Sequence, residues 1–307
     1  MTLFSREQVL NKLQQGHSFY KAELSRIDLQ NTNLDKGKFV EAYLKGANLS
    51  QASCKGADFT KANLIFAILS GTNLTQAQLC QTELNGVSLD GVNLQEGDAS
   101  KAIFYDALIK DLNAPLIKLE SADLSESQTT NSNFSGAKLN NVKLNKVNYD
   151  QVNFSGAQLY EAVAFAAKFT KIILREANLG KAKFIQSTLI ESDLTQASLI
   201  AADFSKSHLS NVILKQADLL EASFKSAQLN EVDLTEASLF NVDLEGATLS
   251  QVNLSDANLQ EANLENTIWE NGNFSGCNVT GAIFSNAQGL SEAQKQWLQD
   301  NGALNIS

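Results

Sequence analysis

Few side chains in this 307-residue chain combine the type and the spacing that chemistry needs. There are two histidines, His17 and His208, and neither stands at metal-ligand spacing from another ligand. The three cysteines, Cys54, Cys80 and Cys277, are scattered and odd in number. That argues against a disulfide framework and for a reducing, cytoplasmic setting. Nothing basic flanks Cys80 to lower its thiol pKa. Neither phosphate-cradling pattern, GxxxxGK[ST] or GxGxxG, is present. Asp and Ser are abundant, but they recur throughout the chain and single out no triad. The expectation is no catalytic residue, no metal and no cofactor.

Composition narrows the class. Hydrophobic residues make up 43%, charged residues only 19%. That is too apolar for disorder. The longest unbroken apolar run, Ala162 to Ala167, is far short of the roughly 20 residues a membrane helix needs. The chain opens without an apolar signal-peptide core. A soluble protein is expected.

A period of five organises the chain. From Phe19 to Phe284, positions numbered in 4 or 9 are almost always large and apolar, and the register never slips. Two residues before each such centre sits a small residue, as in Ala42, Ala47 and Ala52. The residue immediately before the centre is polar, often Asn or Asp, as in Asn253, Asn258 and Asn263. A helix needs a period near 3.6 and a long strand needs 2. Two inward side chains separated by an outward one describe a very short extended stretch. The two remaining outward residues turn a corner, which suits their Gly, Asn and Ser content. Such a unit cannot bury its apolar face alone and must stack on its neighbours.

The sequence resembles the pentapeptide-repeat family, whose A-(D/N)-L-x-x motif stands here as Ala47-Asn48-Leu49-Ser50-Gln51 and Ala57-Asp58-Phe59-Thr60-Lys61. It recurs at Ala217-Asp218-Leu219, Ala257-Asn258-Leu259 and Ala262-Asn263-Leu264. The resemblance is to the long members found in cyanobacteria. It implies an all-β fold, a right-handed four-sided β-helix with four pentapeptides per coil. Residues one coil apart then stack, placing Phe19, Phe39 and Phe59 in one interior column and Phe184, Phe204 and Phe224 in another.

A stack of coils exposes an apolar cross-section at each end, so caps are expected. Ser5-Arg6-Glu7-Gln8 is a capping box, and Phe4 and Val9 are placed as a hydrophobic staple. Ser291-Glu292-Ala293-Gln294 repeats the box, followed by Trp297 and Leu298. These signals divide the chain into a capping helix within 1–16, a β-helix over 17–286 and a second capping helix with a tail over 287–307. The pattern weakens near 97–133, and the only proline, Pro115, lies at the middle of its weakest stretch. Because proline lacks a ladder donor, 110–118 reads as a bulge or loop, or else as an irregular but continuous coil.

Two surface features stand out. Residues 226–270 hold nine acids and no base, among them Glu231, Asp233, Glu236, Asp243 and Glu245. Such a segment repels nucleic acid and attracts basic surfaces, or simply aids solubility. Ile200, Leu220 and Phe240 recur at the coil period in an outward position, with Tyr160 in the same column beyond Gly180. Phe165 and Ile185 stack likewise on the adjoining face. These six mark either a partner surface or a ladder that stiffens the stack. The expected function is a non-enzymatic scaffold for an unidentified protein partner, without direct nucleic-acid binding or a membrane span, as a monomer or a side-to-side dimer. The resemblance supplies an alternative, because some family members mimic duplex DNA, bind DNA gyrase and relieve quinolone inhibition.

Overall fold

Five consecutive residues, Asp193 to Ala197, display the rule by which the whole backbone is built. In a computed structural model that describes residues 4–306, the Asp193 N–H donates to the carbonyl of Ile172 on the coil before, at 2.9 Å. The Leu194 N–H donates to Ile213 on the coil after, at 2.7 Å, and the Gln196 N–H to Lys215, at 2.9 Å. The Ala197 N–H closes a tight turn on the Leu194 carbonyl at 3.1 Å. Only the Thr195 N–H points away from both neighbouring coils, and it finds the Asp193 side-chain Oδ1 at 2.9 Å. All five donors are thereby satisfied inside a unit that turns a corner, as a buried backbone requires.

The polar residue before each centre therefore has a structural task. Where it is Asn or Asp, its side chain recurrently accepts the N–H of the first corner residue, which lies off the backbone ladder, forming an Asx turn. The pattern recurs at Asp58 with Thr60, Asn133 with Ser135 and Asn258 with Gln260. The second corner residue carries the turn itself. From Gly16 to Asn286, every residue whose number ends in 1 or 6 has a positive φ. None of these is Val, Ile or Thr, the side chains that tolerate that region worst.

Two units make up the chain, residues 4–158 and 159–306 among those described; Met1–Leu3 of the expected N-terminal cap and Ser307 lie outside them. In the first, α1 (Arg6–Gln14) precedes the coils, and its capping box is formed between Ser5 and Gln8. Val9 is fully buried, and the ring of Phe4 stands edge-on to Phe19 at 5.9 Å. One side of each later coil is a three-residue strand: β1 (Ser88–Asp90), β2 (Leu108–Lys110), β3 (Gln128–Thr130) and β4 (Asn148–Asp150). They pair in parallel one coil apart, aligning Leu89, Ile109, Thr129 and Tyr149. The other three sides keep the same offset through single bridges, such as Ser18 with Lys38, Glu23 with Tyr43 and Asn33 with Ser53.

The second unit repeats this construction. Its strands are β5 (Lys168–Thr170), β6 (Thr188–Ile190), β7 (His208–Ser210), β8 (Gln228–Asn230), β9 (Thr248–Ser250) and β10 (Ile268–Glu270). They align Phe169, Leu189, Leu209, Leu229, Leu249 and Trp269 in the interior. Then α2 (Glu292–Asp300) begins with the second capping box, Ser291 with Gln294. Beyond it the chain returns to the stack, where Leu304 bridges Ile283. Each coil thus has four sides of one pentapeptide each, as the repeat and the family resemblance lead one to expect.

The interior columns form as expected. Phe39 and Phe59 stack with centroids 5.0 Å apart and planes 7° from parallel, and Phe184, Phe204 and Phe224 stack at 5.0 and 5.1 Å. Ser and Thr at the small inward positions return their hydroxyls to carbonyls, as Thr72 does to Leu49 at 2.8 Å.

The bulge expected at 110–118 does not form. Leu112, Ala114 and Ile117 are buried in register, and Asn113 bridges both Asn93 and Asn133. Pro115 occupies the first corner position, the one whose N–H is off the ladder, so nothing is lost there. Its carbonyl still accepts from the Glu96 N–H at 3.1 Å, and Leu116 supplies the positive φ of 59°. Proline followed by a left-handed residue is the preferred order at such a turn.

The corner and the core can each be tested by a pair of substitutions. Ser70→Pro places proline before Gly71, whose φ is 67°, and should leave stability unchanged or raise it by roughly 0.4–1 kcal/mol. Gly71→Pro removes the donor bonded to Asp90 at 2.7 Å and forbids the required φ, so its chemical melt should fall far below wild type. Leu194→Ala should cost about 2–5 kcal/mol, whereas Thr195→Ala, losing only a side-chain hydrogen bond, should cost about 1 kcal/mol. Equal midpoints for that second pair would overturn the inward assignment.

Candidate functional site

The four-sided coil decides which of the surface residues meet. Sides two apart in the sequence of corners face opposite directions. Glu231, Asp233 and Glu236 therefore share one side and its corners, while Asp243 and Glu245 belong to the opposite side. The acidic segment is divided and forms no single acidic face.

Several of its charges are also occupied. Asp233 accepts from the Thr235 amide at 3.1 Å and the Thr235 hydroxyl at 2.5 Å, and Lys215 lies at 3.1 Å. Lys225 pairs with Glu245 at 2.6 Å, and Gln216 donates to Glu236 at 2.7 Å. Asp243 accepts from the Glu245 amide at 3.0 Å and from Asn263 at 3.1 Å. Glu231 is exposed.

The apolar row forms along one corner of the second unit. Consecutive coils are linked there by the Ala201 N–H on Leu220 at 2.8 Å and the Glu221 N–H on Phe240 at 3.1 Å, so Ile200, Leu220 and Phe240 stack directly. Ile200 is 38% exposed, and Leu220 and Phe240 are half-buried. Tyr160 reaches the row by leaning across Gly180, where a Cβ would come within 3.1 Å of its ring. Lys181 stands 5.5 Å from the centroid of that ring. Phe165 and Ile185 occupy the next corner, joined by the Ala166 N–H on Ile185. Between the two corners runs a side carrying Val163, Lys183, Asp203, Ser223 and Asp243. The six residues thus form two rows separated by a largely polar side.

A second set of exposed apolar residues lies outside the sequence-based expectations. Tyr43, Phe66, Ile68, Ile103, Tyr105 and Leu108 are spread along one corner of the first unit and its two sides, with Asn63, Glu83 and Ser88 between them; Phe66 is 60% and Leu108 54% exposed. Phe66 holds a left-handed φ of 56°, and its ring covers Gly86 so closely that a Cβ there would lie 2.4 Å from it. The sequence does carry a signal for it: each is a large apolar residue at an outward position where the repeat has polar or small ones.

Among the described residues no group of three or more His, Cys, Asp or Glu is placed to hold a metal. Cys54 and Cys277 are buried, and burial pushes Cys277 up to about 12. Burial and a hydrogen bond to Asp98 push Cys80 up to about 11. A shallow cleft of about 280 Å³ beside α2 is lined by Phe274, Ala293, Gln294 and Trp297, with no titratable group on its walls. No helix among the described residues is long and apolar enough to cross a membrane.

The Asx turns carry a pH dependence. Burial opposes ionisation of Asp193, but the Thr195 hydroxyl and amide, together with Arg175 at 2.6 Å, hold its carboxyl below the ordinary aspartate range. The same balance, with Thr235 and Lys215, lowers Asp233. A folded pKa below the unfolded one means that the ionised form stabilises the fold at neutral pH, and that this is lost as pH falls through the folded pKa. Asn retains the turn acceptor without titrating. The double variant Asp193→Asn/Asp233→Asn should therefore show a flatter loss of melting temperature between about pH 5 and pH 2 than wild type. Parallel acid curves would rule out these carboxylates as contributors.

Comparison with known proteins follows the same repeat. A family described as pentapeptide repeats matches in eight copies, covering residues 22–50, 38–76, 72–111, 117–156 and 257–288. A pentapeptide repeat region matches 162–239. No curated protein matches the sequence. Among solved structures, QnrB1, a plasmid-mediated fluoroquinolone resistance protein, is 18% identical over 63% of this chain and 95% of its own, with a TM-score of 0.42. HetL, a pentapeptide repeat protein involved in heterocyst differentiation regulation in the cyanobacterium Nostoc, is 23% identical over 92% of this chain and 97% of its own, with a TM-score of 0.26. A pentapeptide repeat protein of the Arabidopsis thaliana thylakoid lumen is 35% identical over 36% of this chain and 74% of its own, with a TM-score of 0.30. The matched segments take in coils of both units, each built on the same Asx turn and left-handed corner, and the chain belongs to the pentapeptide repeat family.

Proposed function

We propose that the chain is a non-catalytic scaffold that offers side chains on fixed, flat faces to a protein partner. The observation that carries this reading is the row of Ile200, Leu220 and Phe240, stacked at the coil period and joined by backbone hydrogen bonds from Ala201 to Leu220 and from Glu221 to Phe240. Contiguous outward apolar residues mark interfaces more often than isolated ones do. Tyr160, Phe165 and Ile185 extend the apolar character to the neighbouring coils and corner. The reading includes a cytoplasmic location, supported by three free thiols, two of them buried.

The DNA-mimic alternative draws little support from charge. Its acids Asp233 and Glu245 are paired with lysines, and Glu231 and Asp243 lie on opposite sides. Lys36, Lys38, Lys45, Lys55 and Lys61 also place positive charge in the first unit, which a uniform duplex mimic would avoid. A supercoiling assay tests it directly: no gyrase inhibition at micromolar protein and no rescue from quinolone would remove it.

Leu220→Asp should abolish the partner contact, or a side-to-side dimer, while keeping the melting temperature within a few degrees of wild type. The measurements are co-purification with a tagged chain from the source organism and sedimentation velocity at high concentration. A monomer by sedimentation, with the variant retaining every wild-type partner, would sink the proposal. So would a large loss of stability with no change in binding, since that marks a ladder that merely stiffens the coils.

A further inference from the structure

Around Ile200, Leu220 and Phe240 the rim of the ridge is acidic. Three outward strips border Ile200, Leu220 and Phe240 on their own coils: residues 198–203, 218–223 and 238–243. These contain Asp203, Asp218, Glu221 and Asp243, and no basic residue. Asp203, Asp218 and Asp243 each use Oδ1 to accept a backbone N–H in their own turns. Glu221 is exposed at the corner beside Leu220. The ion pairs formed by this unit's cations lie elsewhere: Lys171 with Glu191, Arg175 with Asp193, Lys215 with Asp233, Lys225 with Glu245 and Lys295 with Glu292. Among the described residues, none of the four rim acids has a basic side chain in ion-pair range.

Spacing then selects the shape of the occupant. Ridge side chains repeat about every 4.8 Å, so three of them span about 9.6 Å. Apolar residues at i, i+4 and i+7 of an α-helix span about 10.5 Å and stay in step with all three. Alternate residues of a strand laid along the ridge advance about 6.8 Å each, and are out of step by the third. On the reading that this ridge is the docking face, we propose that it receives a basic amphipathic α-helix lying along the coil axis. Its apolar stripe interleaves with Ile200, Leu220 and Phe240. Lysine or arginine on either side of that stripe faces Asp203, Asp218, Glu221 and Asp243. The rim changes sign toward Tyr160, where Lys181 and Lys183 stand, so the helix carries its basic residues at the Leu220–Phe240 end.

The test uses the full chain and three labelled peptides, each long enough for about four helical turns, with binding read by fluorescence anisotropy at low and high salt. The first has leucine at positions 3, 7 and 10 with flanking lysines. The second has the same composition with leucines at 3, 5 and 7, and the third has glutamate for each lysine. Wild type should bind the first at least about ten-fold more tightly than either of the others, with an affinity that falls as salt rises. The variant Asp203→Asn/Asp218→Asn/Glu221→Gln/Asp243→Asn preserves the turn acceptors. It should lose at least about ten-fold in affinity and most of the salt dependence, with its melting temperature retained.

Leu220→Ser should also lose the peptide. If the permuted peptide binds as well as the first, or the neutralised variant binds as well as wild type, while Leu220→Ser still loses binding, the basic helix is overturned and the docking ridge stands. If Leu220→Ser binds the first peptide as wild type does, the ridge itself fails as a docking face. No binding of the first peptide to wild type also overturns the helix.

Discussion

One requirement governs this molecule: a chain that turns a corner every five residues must still find a partner for every backbone N–H. Two donors go to neighbouring coils from the sides, one goes to a neighbouring coil from the corner, and one closes the turn. The fifth lies off the ladder and in many repeats is met by the side chain two residues before it. The recurrent Asn or Asp before the centre, the left-handed residue at each corner and the exclusion of β-branched side chains there all answer that condition. The hydrophobic columns fill the space that the condition leaves inside.

The same condition explains why surface chemistry on this fold is easily misjudged. Acids such as Asp193 and Asp233 look like free charge in the sequence, yet their first duty is to hold a backbone amide. Lysines on adjacent coils then neutralise some of them at a distance set by stacking. What remains for a partner is the residue left over after those local demands, which is why the unpaired rim around Ile200, Leu220 and Phe240 stands out against its neighbours.

Much of the fold is legible in the sequence because inward positions obey burial alone. The Phe19, Phe39 and Phe59 column and the two capping boxes can be read from spacing, and they form. Pro115 misleads because a missing donor looks like a loss at any position, although the first corner donor of a repeat makes no backbone ladder bond. The surfaces are harder. A run of acids from 226 to 270 carries no hint that Asp233 and Asp243 point in opposite directions until the number of sides per coil is fixed. Exposure is not legible either, since Leu220 and Phe240 are shielded by their stacked neighbours while Phe66 stands out beyond Gly86. Neighbours one coil away decide both.

Stacking at a fixed offset also gives the chain an unusual tolerance and an unusual penalty. Removing the single pentapeptide 206–210 would leave every later centre pointing inward, so the core and its hydrogen bonds would survive nearly whole. The outward pattern would not. Leu220 and Phe240 would be carried a quarter turn around the axis, away from Ile200, and acids from one side would be dealt onto the next. Only a change of four pentapeptides, one full coil with the offset that bridges such as Asp28 with Asn48 show, restores both the inside and the outside. Lineages of such chains can therefore keep their folds through small insertions while their surfaces are reshuffled, so that architecture and recognition drift on separate clocks.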